Sequence, residues 1–284
     1  MAATLIDGKA VAEKVKAEVE AEAAELGGVR LATILVGDDP ASHIYIRHKH
    51  ADARAVGIDT DDRRLPAETT QEELLEAIRE LNDDDSLDGF LLQLPLPDHL
   101  DEASAIAEID PLKDVDGLTP VNQGLLLLGR PALVGATPVG VMRLLDEYRV
   151  QVAGRRAVVI GRSSIVGKPM ALLLLQANAT VSICHSQTVD MARLTTDADI
   201  LVAAVGSTHL VSADMVKAGA TVIDVGMNRT DDGLFGDVDP GAAELAEYMT
   251  PVPGGVGPMT RAMLLANAVK AARARRAPLA SRGH

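Results

Sequence analysis

Apolar and polar residues alternate along this chain in two rhythms, and the rhythm changes near residue 138. In the first part, GKAVAEKVKAEVEAEAAEL is rich in Ala, Glu and Lys and stops at Gly27-Gly28, which predicts a helix with a glycine at its C-terminal end. VRLATILVG is a β-rich run halted by GDDP and predicts a strand. From Ser42 to Ala55 the pattern has helical spacing, closed by Gly57. TTQEELLEAIRELN predicts another helix, with Thr69 or Thr70 as N-cap, and LDGFLLQLPLP a buried strand entering a proline-punctuated loop.

Past Pro138, which suits the first turn of a linking helix over roughly 138–149, the alternation becomes regular. RRAVVIG, ATVSICHS, ADILVAAVG and ATVIDVG read as strands, separated by helices at KPMALLLLQAN, DMARLTTD and SADMVKAG. Apolar strands separated by short helices predict a parallel, doubly wound sheet covered on both faces. PVPGGVGPMT reads as a loop and RAMLLANAVKAARARR as a closing helix that returns to the first domain. The expected fold class is therefore α/β with two domains and a cleft between them. Residues 1–137 with 258–284 make an N-terminal α/β domain, and 138–257 a Rossmann-like nucleotide-binding domain.

Composition narrows the function classes. A length of 284 residues exceeds one ordinary core, which agrees with two domains. Hydrophobic residues make up 47% but aromatics only 2%, so the interior must be Val, Ile, Leu and Ala. A net charge of −14 argues against nucleic acid as a partner, because phosphate contacts need clustered Lys and Arg. The acidity, spread through bursts such as NDDDSLD and GIDTDD, fits a mutually repelling soluble surface or adaptation to a high-salt cytoplasm. The single cysteine, Cys184, excludes an internal disulfide and a thiolate cluster, and the seven histidines form no HExxH, so no metal is expected. The opening residues lack the apolar core of a signal peptide and no run is long enough to span a membrane, so a cytoplasmic protein is expected.

Two stretches carry candidate chemistry. AVVIGRSSIVGKPMALLLL is strand, glycine turn, helix, with Gly161, Ser163 and Gly167 spaced where backbone N–H groups and a helix N-terminus can receive a pyrophosphate. The same turn also occurs in Rossmann-like domains that bind nothing. The following strand ends at Cys184-His185-Ser186 with no carboxylate to take ribose hydroxyls; with Arg162 this favours NADP over NAD. Ser186 as a hydroxyl capping the next helix stays open. In YIRHK, Tyr45 and Lys49 join Ser42 on one helical stripe at i, i+3 and i+7. Flanked by Arg47, His48 and His50, a partly buried Lys49 would have a lowered pKa and could transfer protons. On spacing alone, a solvated helix face is the commoner arrangement.

Six segments occur together and in order: LLQLPLP, PLKDVDGLTPVNQG, VVIGRSSIVGKP, TVSICHSQT, VIDVGMN and TPVPGGVGPMTRAML. The set resembles the bifunctional methylenetetrahydrofolate dehydrogenase/methenyltetrahydrofolate cyclohydrolase family from about Leu5 to Lys270, and SHIYIRHKHADARAVGI is similar to that family's active-site helix. The resemblance implies NADP-dependent oxidation of 5,10-methylenetetrahydrofolate to 5,10-methenyltetrahydrofolate, then hydrolysis to 10-formyltetrahydrofolate. It implies that Lys49 is the essential lysine, that Gln93 holds it, and that Asp116 accepts hydrogen bonds from the pterin, with Asp114 structural. It further implies Tyr45 and Ser42 beside the folate, close backbone approach at Gly254, Gly255 and Val256, and Met227 near the nicotinamide, where strand-end packing is the alternative. Gly161, Arg162, Ser163, Gly167 and Ser186 would hold the cofactor, and a homodimer is expected. A dehydrogenase without effective hydrolysis and a nucleotide-sensing module that binds NADP without turnover are the rival readings. The first is opposed by Lys49 with Gln93, the second by the folate-side motifs.

Overall fold

A computed structural model of the chain describes residues 2–38 and 40–277, with the backbone alone at 40–46 and 48. In order, its elements begin with β1 (Thr4–Leu5), α1 (Gly8–Glu25), β2 (Val29–Val36), α2 (Pro40–Ala55), β3 (Ile58–Leu65), α3 (Gln71–Asp83) and β4 (Gly89–Leu92). Then come α4 (Glu102–Glu108), α5 (Pro120–Leu127), α6 (Ala136–Glu147), β5 (Arg156–Ile160), α7 (Gly167–Gln176), β6 (Thr180–Cys184) and α8 (Met191–Thr195). β7 (Ile200–Ala203), β8 (Thr221–Asp224), β9 (Asn228–Thr230), β10 (Gly233–Phe235), β11 (Tyr248–Met249) and α9 (Val256–Arg276) complete the series.

The chain divides into two compact units, Met1–Glu13 with Gly135–Met263 and Lys14–Val134 with Leu264–His284. Residues 1–13 and 258–263, expected in the N-terminal domain, group instead with the segment that begins at Gly135. The reason is pairing and packing: β1 is a parallel partner of β11, and Thr137 and Thr260 share a 2.9 Å hydroxyl hydrogen bond.

In the unit built on residues 14–134, β3, β2 and β4 form a parallel sheet with β2 in the middle. Thr70 starts α3 with a capping box: its hydroxyl accepts from the Glu73 N–H, and Glu73 reaches back to the Thr70 N–H at 2.8 Å. Leu74, Ile78 and Leu81 then recur on one side of α3 and are buried against Ala32, Ile34 and Val36 of β2 and Phe90 and Leu92 of β4. Fully burying each such side chain is worth about 1.5–3 kcal/mol. β3, sequence IDTDDRRL, hides in a stretch that reads as an acidic burst. It is an edge strand of this sheet, and a charged edge is poorly suited to pairing with another strand.

The other unit is a six-stranded sheet in the order β1-β11-β8-β7-β5-β6, parallel at every pairing. β6 and β7 flank β5, so chain order reverses at β5, and the crevice beyond its C-terminal end is where α/β sheets take ligands. Two local expectations change, for SADMVKAG and for the Pro/Gly segment, and one stretch without a rhythm of its own forms a hairpin. SADMVKAG contains a single 3-10 turn, Ala213–Met215, where a helix is expected. The acidic segment after Met227 folds as the antiparallel hairpin β9–β10. α9 begins at Val256, inside the Pro/Gly segment read as a loop.

Candidate active site

Lys49 lies in the third turn of α2 and is only 7% exposed. Its Nζ donates to Gln93 Oε1 at 3.4 Å. Gln93 sits one residue past β4 and extends the sheet ladder through its N–H to the Ile34 carbonyl at 2.8 Å. Its Nε2 donates to the Leu94 carbonyl at 2.7 Å, which fixes the amide orientation and turns the oxygen toward the lysine. Burial pushes the Lys49 pKa down, and the Asp116 carboxylate opposes that shift. Asp116 responds in the opposite sense. It keeps some exposed surface, yet burial raises its carboxyl pKa; the Lys49 charge draws it back and the Asp114 charge adds to the rise. The structure thus brings Lys49, Gln93 and Asp116 together, and a lysine whose pKa burial lowers is one that can serve as base and then acid.

The loop carrying Asp116 is fixed from several directions. Asp114 accepts from the Leu118 and Thr119 N–H groups at 3.1 and 2.8 Å and from Asn122 Nδ2 at 2.8 Å, so its carboxylate is consumed by the turn. Gly117, at φ +64°, completes that turn. Asn267 of α9 donates to the Val115 carbonyl at 2.8 Å. Lys113 is fully buried and its Nζ donates to the carbonyls of Leu81, Asn82 and Asp84, each at 2.7 Å, closing the C-terminal end of α3. Neither Lys113 nor Asn267 stands out by spacing; the signal for Lys113 is its place in KDVDG, and Asn267 has none beyond an amide in an apolar helix. Ser42 and Tyr45 share α2 with Lys49, but their side chains lie outside the described residues.

In the six-stranded unit a cavity of about 530 Å³ opens at the reversal point, lined by Gly161, Arg162, Ser163, His185, Ser186 and Val205 among others. Gly161 has φ +120°, and a Cβ there would stand 2.3 Å from the Ala204 carbonyl oxygen. A Cβ on Gly167 would lie 2.3 Å from the Gly161 carbonyl oxygen, so both glycines are required for strand, turn and helix to close on one another. The Ser163 hydroxyl accepts from the Val166 and Gly167 N–H groups at 3.1 and 3.3 Å and so ties the turn to the start of α7. Thr188 Oγ1 accepts from the His185 N–H at 2.9 Å, which closes the turn after β6 without Ser186 and leaves Ser186 on the cavity wall. Exposed Arg162, the Ser186 hydroxyl and the α7 N-terminus together fit a phosphate-rich dinucleotide.

Met227 is 59% exposed beyond β8, with its sulfur near Gly257. Gly254 has φ +112° and Val256 opens α9. A Cβ on Gly255 would fall 2.7 Å from both the Pro251 carbonyl oxygen and Thr250 Cβ, so packing within the chain is reason enough for that glycine. Among the described residues no His, Cys, Asp or Glu cluster could hold a metal ion, and no helix is long and apolar enough to cross a membrane.

Comparison with known proteins gives matches along both units. Residues 6–116 match the tetrahydrofolate dehydrogenase/cyclohydrolase catalytic domain, and 135–276 match the NAD(P)-binding domain of the same family. The bifunctional protein FolD of Lactococcus lactis is 52% identical over 274 residues, 94% of this chain and 96% of its own. That of Burkholderia thailandensis is 54% identical over 278 residues, 96% and 98% of the two chains. Among solved structures, the Campylobacter jejuni FolD methylenetetrahydrofolate dehydrogenase/cyclohydrolase superposes with a TM-score of 0.95 at 47% identity, covering 96% of this chain and all of the other. The Trypanosoma brucei enzyme, complexed with NADP cofactor and an inhibitor, gives 0.92 at 40%, covering 98% and 100%.

Proposed function

The chain belongs to the tetrahydrofolate dehydrogenase/cyclohydrolase family, and on that premise we propose how its residues carry out the two reactions. It oxidises 5,10-methylenetetrahydrofolate with NADP and hydrolyses the 5,10-methenyl product to 10-formyltetrahydrofolate. The observation that carries the assignment of roles is the buried Lys49 Nζ held on Gln93 Oε1 beside Asp116.

NADP, when bound, supplies the hydride acceptor. The remaining work falls to side chains. Lys49, its charge disfavoured by burial, takes a proton at Nζ from the water that adds to the bridging carbon and returns it to N5 as the carbon–N5 bond breaks, while the second water proton leaves to solvent as the formyl carbonyl forms. Gln93 aims that Nζ, and its fixed amide keeps the lysine from turning away. Asp116 offers two oxygens to the pterin N–H groups, which gives a bidentate grip on a flat ring. Ser42 and Tyr45 we assign to the same ligand, Tyr45 by stacking on it. Gly161, Gly167 and Ser163 shape the pyrophosphate turn, Arg162 and Ser186 meet the 2′-phosphate, and Met227 borders the nicotinamide.

The same reading extends to a homodimeric protein of the cytoplasm, supplying formyl groups for purine synthesis and adapted to high salt. In-solution scattering that returns a monomer would remove the dimer.

The test is spectrophotometric. Given 5,10-methylenetetrahydrofolate and NADP, the enzyme should form reduced cofactor without accumulating the methenyl cation. Lys49→Ala should lose hydrolysis of added methenyl substrate by at least 100-fold, on the order expected for a general acid–base group. NADP binding with no reduction in the unmutated protein would make a sensing module the better account.

A further inference from the structure

The turn that follows β7 is not held by its own backbone. Val205, Gly206 and Ser207 point three successive N–H groups at one carboxylate about thirty residues further along the chain, that of Asp237. Asp237 Oδ2 accepts from Val205 at 2.7 Å and Gly206 at 3.0 Å; Oδ1 accepts from Ser207 at 2.8 Å and from Asn228 Nδ2 at 2.9 Å. Successive N–H groups gathered in this way form an anion-binding concavity, and here the anion is internal. Asp237 is itself fixed by a second buried carboxylate at the end of β8. Asp224 Oδ1 accepts from the Gly226 and Asp237 N–H groups, and Oδ2 from Val238, all at 2.9 Å. The fit leaves no slack. A Cβ on Gly226 would lie 2.3 Å from Asp237 Oδ1, and one on Gly236 would lie 1.8 Å from Asp224 Oδ2.

What this relay holds in place is the cofactor cavity. Val205 lines it, and the Ala204 carbonyl just before the turn is the surface on which Gly161 rests. Asn228 extends the relay to the residue after Met227. We infer that Asp237 is a positioning residue for NADP, acting through the Val205–Ser207 turn and Asn228 and touching no ligand itself. The inference rests on the proposed use of this cavity for NADP. Asparagine is too poor a substitute for the carboxylate: whichever way its amide points, an NH₂ faces at least one backbone N–H. The turn then gives, and the cavity wall with it.

The experiment compares the full-length protein with Asp237→Asn and Asn228→Ala, measuring the Kd for NADP by titration calorimetry and, separately, hydrolysis of supplied methenyltetrahydrofolate, which consumes no NADP. Asp237→Asn should raise the NADP Kd at least tenfold, Asn228→Ala about threefold, with kcat for hydrolysis within twofold of the unmutated protein. An unchanged Kd in Asp237→Asn, or a loss of hydrolysis equal to the loss of NADP binding, overturns the inference. Should Asp237→Asn show no cooperative melt, Asn228→Ala decides, and an unchanged Kd there overturns it. Failure of the unmutated protein to bind NADP brings down the cofactor assignment and this inference together, whereas normal binding with unaffected variants brings down only the inference.

Discussion

At the scale of single residues, Lys49 and Asp116 shift each other in directions that can be tested. Burial lowers the lysine, and the aspartate's negative charge works against that lowering. Asp116→Asn removes the opposing charge, so Lys49 should lose its proton at a lower pH than in the unmutated protein, and in both below the ordinary lysine value of 10.5. Acylation of Lys49 against pH, followed by mass spectrometry of the ligand-free protein, reads this directly. A midpoint that stays in place or rises would mean the two groups do not interact. Spacing alone put Tyr45 and Lys49 on one stripe, but it could not distinguish a wet face from a buried one. The groups Lys49 meets, Gln93 just past β4 and Asp116 of the KDVDG loop, lie more than forty residues further along the chain, and only the co-occurring motifs pointed to them. Asp237 was illegible for a related reason. It stands in a short acidic segment, and nothing local marks one aspartate among several as the one whose carboxylate is fully enclosed.

At the scale of elements, what was legible followed local chemistry and what was not depended on distant packing. The capping box of α3 and the glycine turn before α7 are written in adjacent residues. β3 was missed because an edge strand can be nearly all charge, and the short β1 and β11 because two residues carry no period. SADMVKAG has helical composition, but only one 3-10 turn forms there. The C-terminal end of α3 shows how an element and the site are joined. Lys113 occupies three of its carbonyls, and the next residues of the same loop carry Asp116. Lys113→Met should leave those carbonyls without their buried donor, at a cost of roughly 1–3 kcal/mol in denaturant unfolding. It should also raise the KM for the folate substrate while leaving the Kd for NADP unchanged. A variant that loses stability but keeps its KM would make Lys113 a helix cap and nothing more.

At the scale of the whole molecule, a net charge of −14 works against the compact state through self-repulsion, which dissolved ions screen over about 10 Å at 0.1 M salt. The proposed salt adaptation therefore predicts a melting temperature that climbs steeply and continues to climb into molar KCl. A curve that levels off by about 0.2 M would show only ordinary screening of surface charge. The two-unit organisation was legible from the change in rhythm near residue 138, whereas the assignment of the first thirteen residues was not, because it rests on contacts with distant residues: the pairing of Thr4 and Leu5 with Tyr248 and Met249, and the bonds from the Asp7 and Lys9 N–H groups to the Tyr148 hydroxyl and the Gly254 carbonyl. That pairing also sets an order of events on the ribosome. β1 is made before β11, which follows some tens of seconds later at the usual synthesis rate of about 5–20 residues per second. Through that interval β1 has no partner, because β11, the strand that joins it to β8, has yet to be made, and the unit around Lys49 likewise waits for residues 264–276 of α9. Neither unit can complete its packing until those late residues are made, so the apolar strands in between keep unpaired edges open to other chains through that interval.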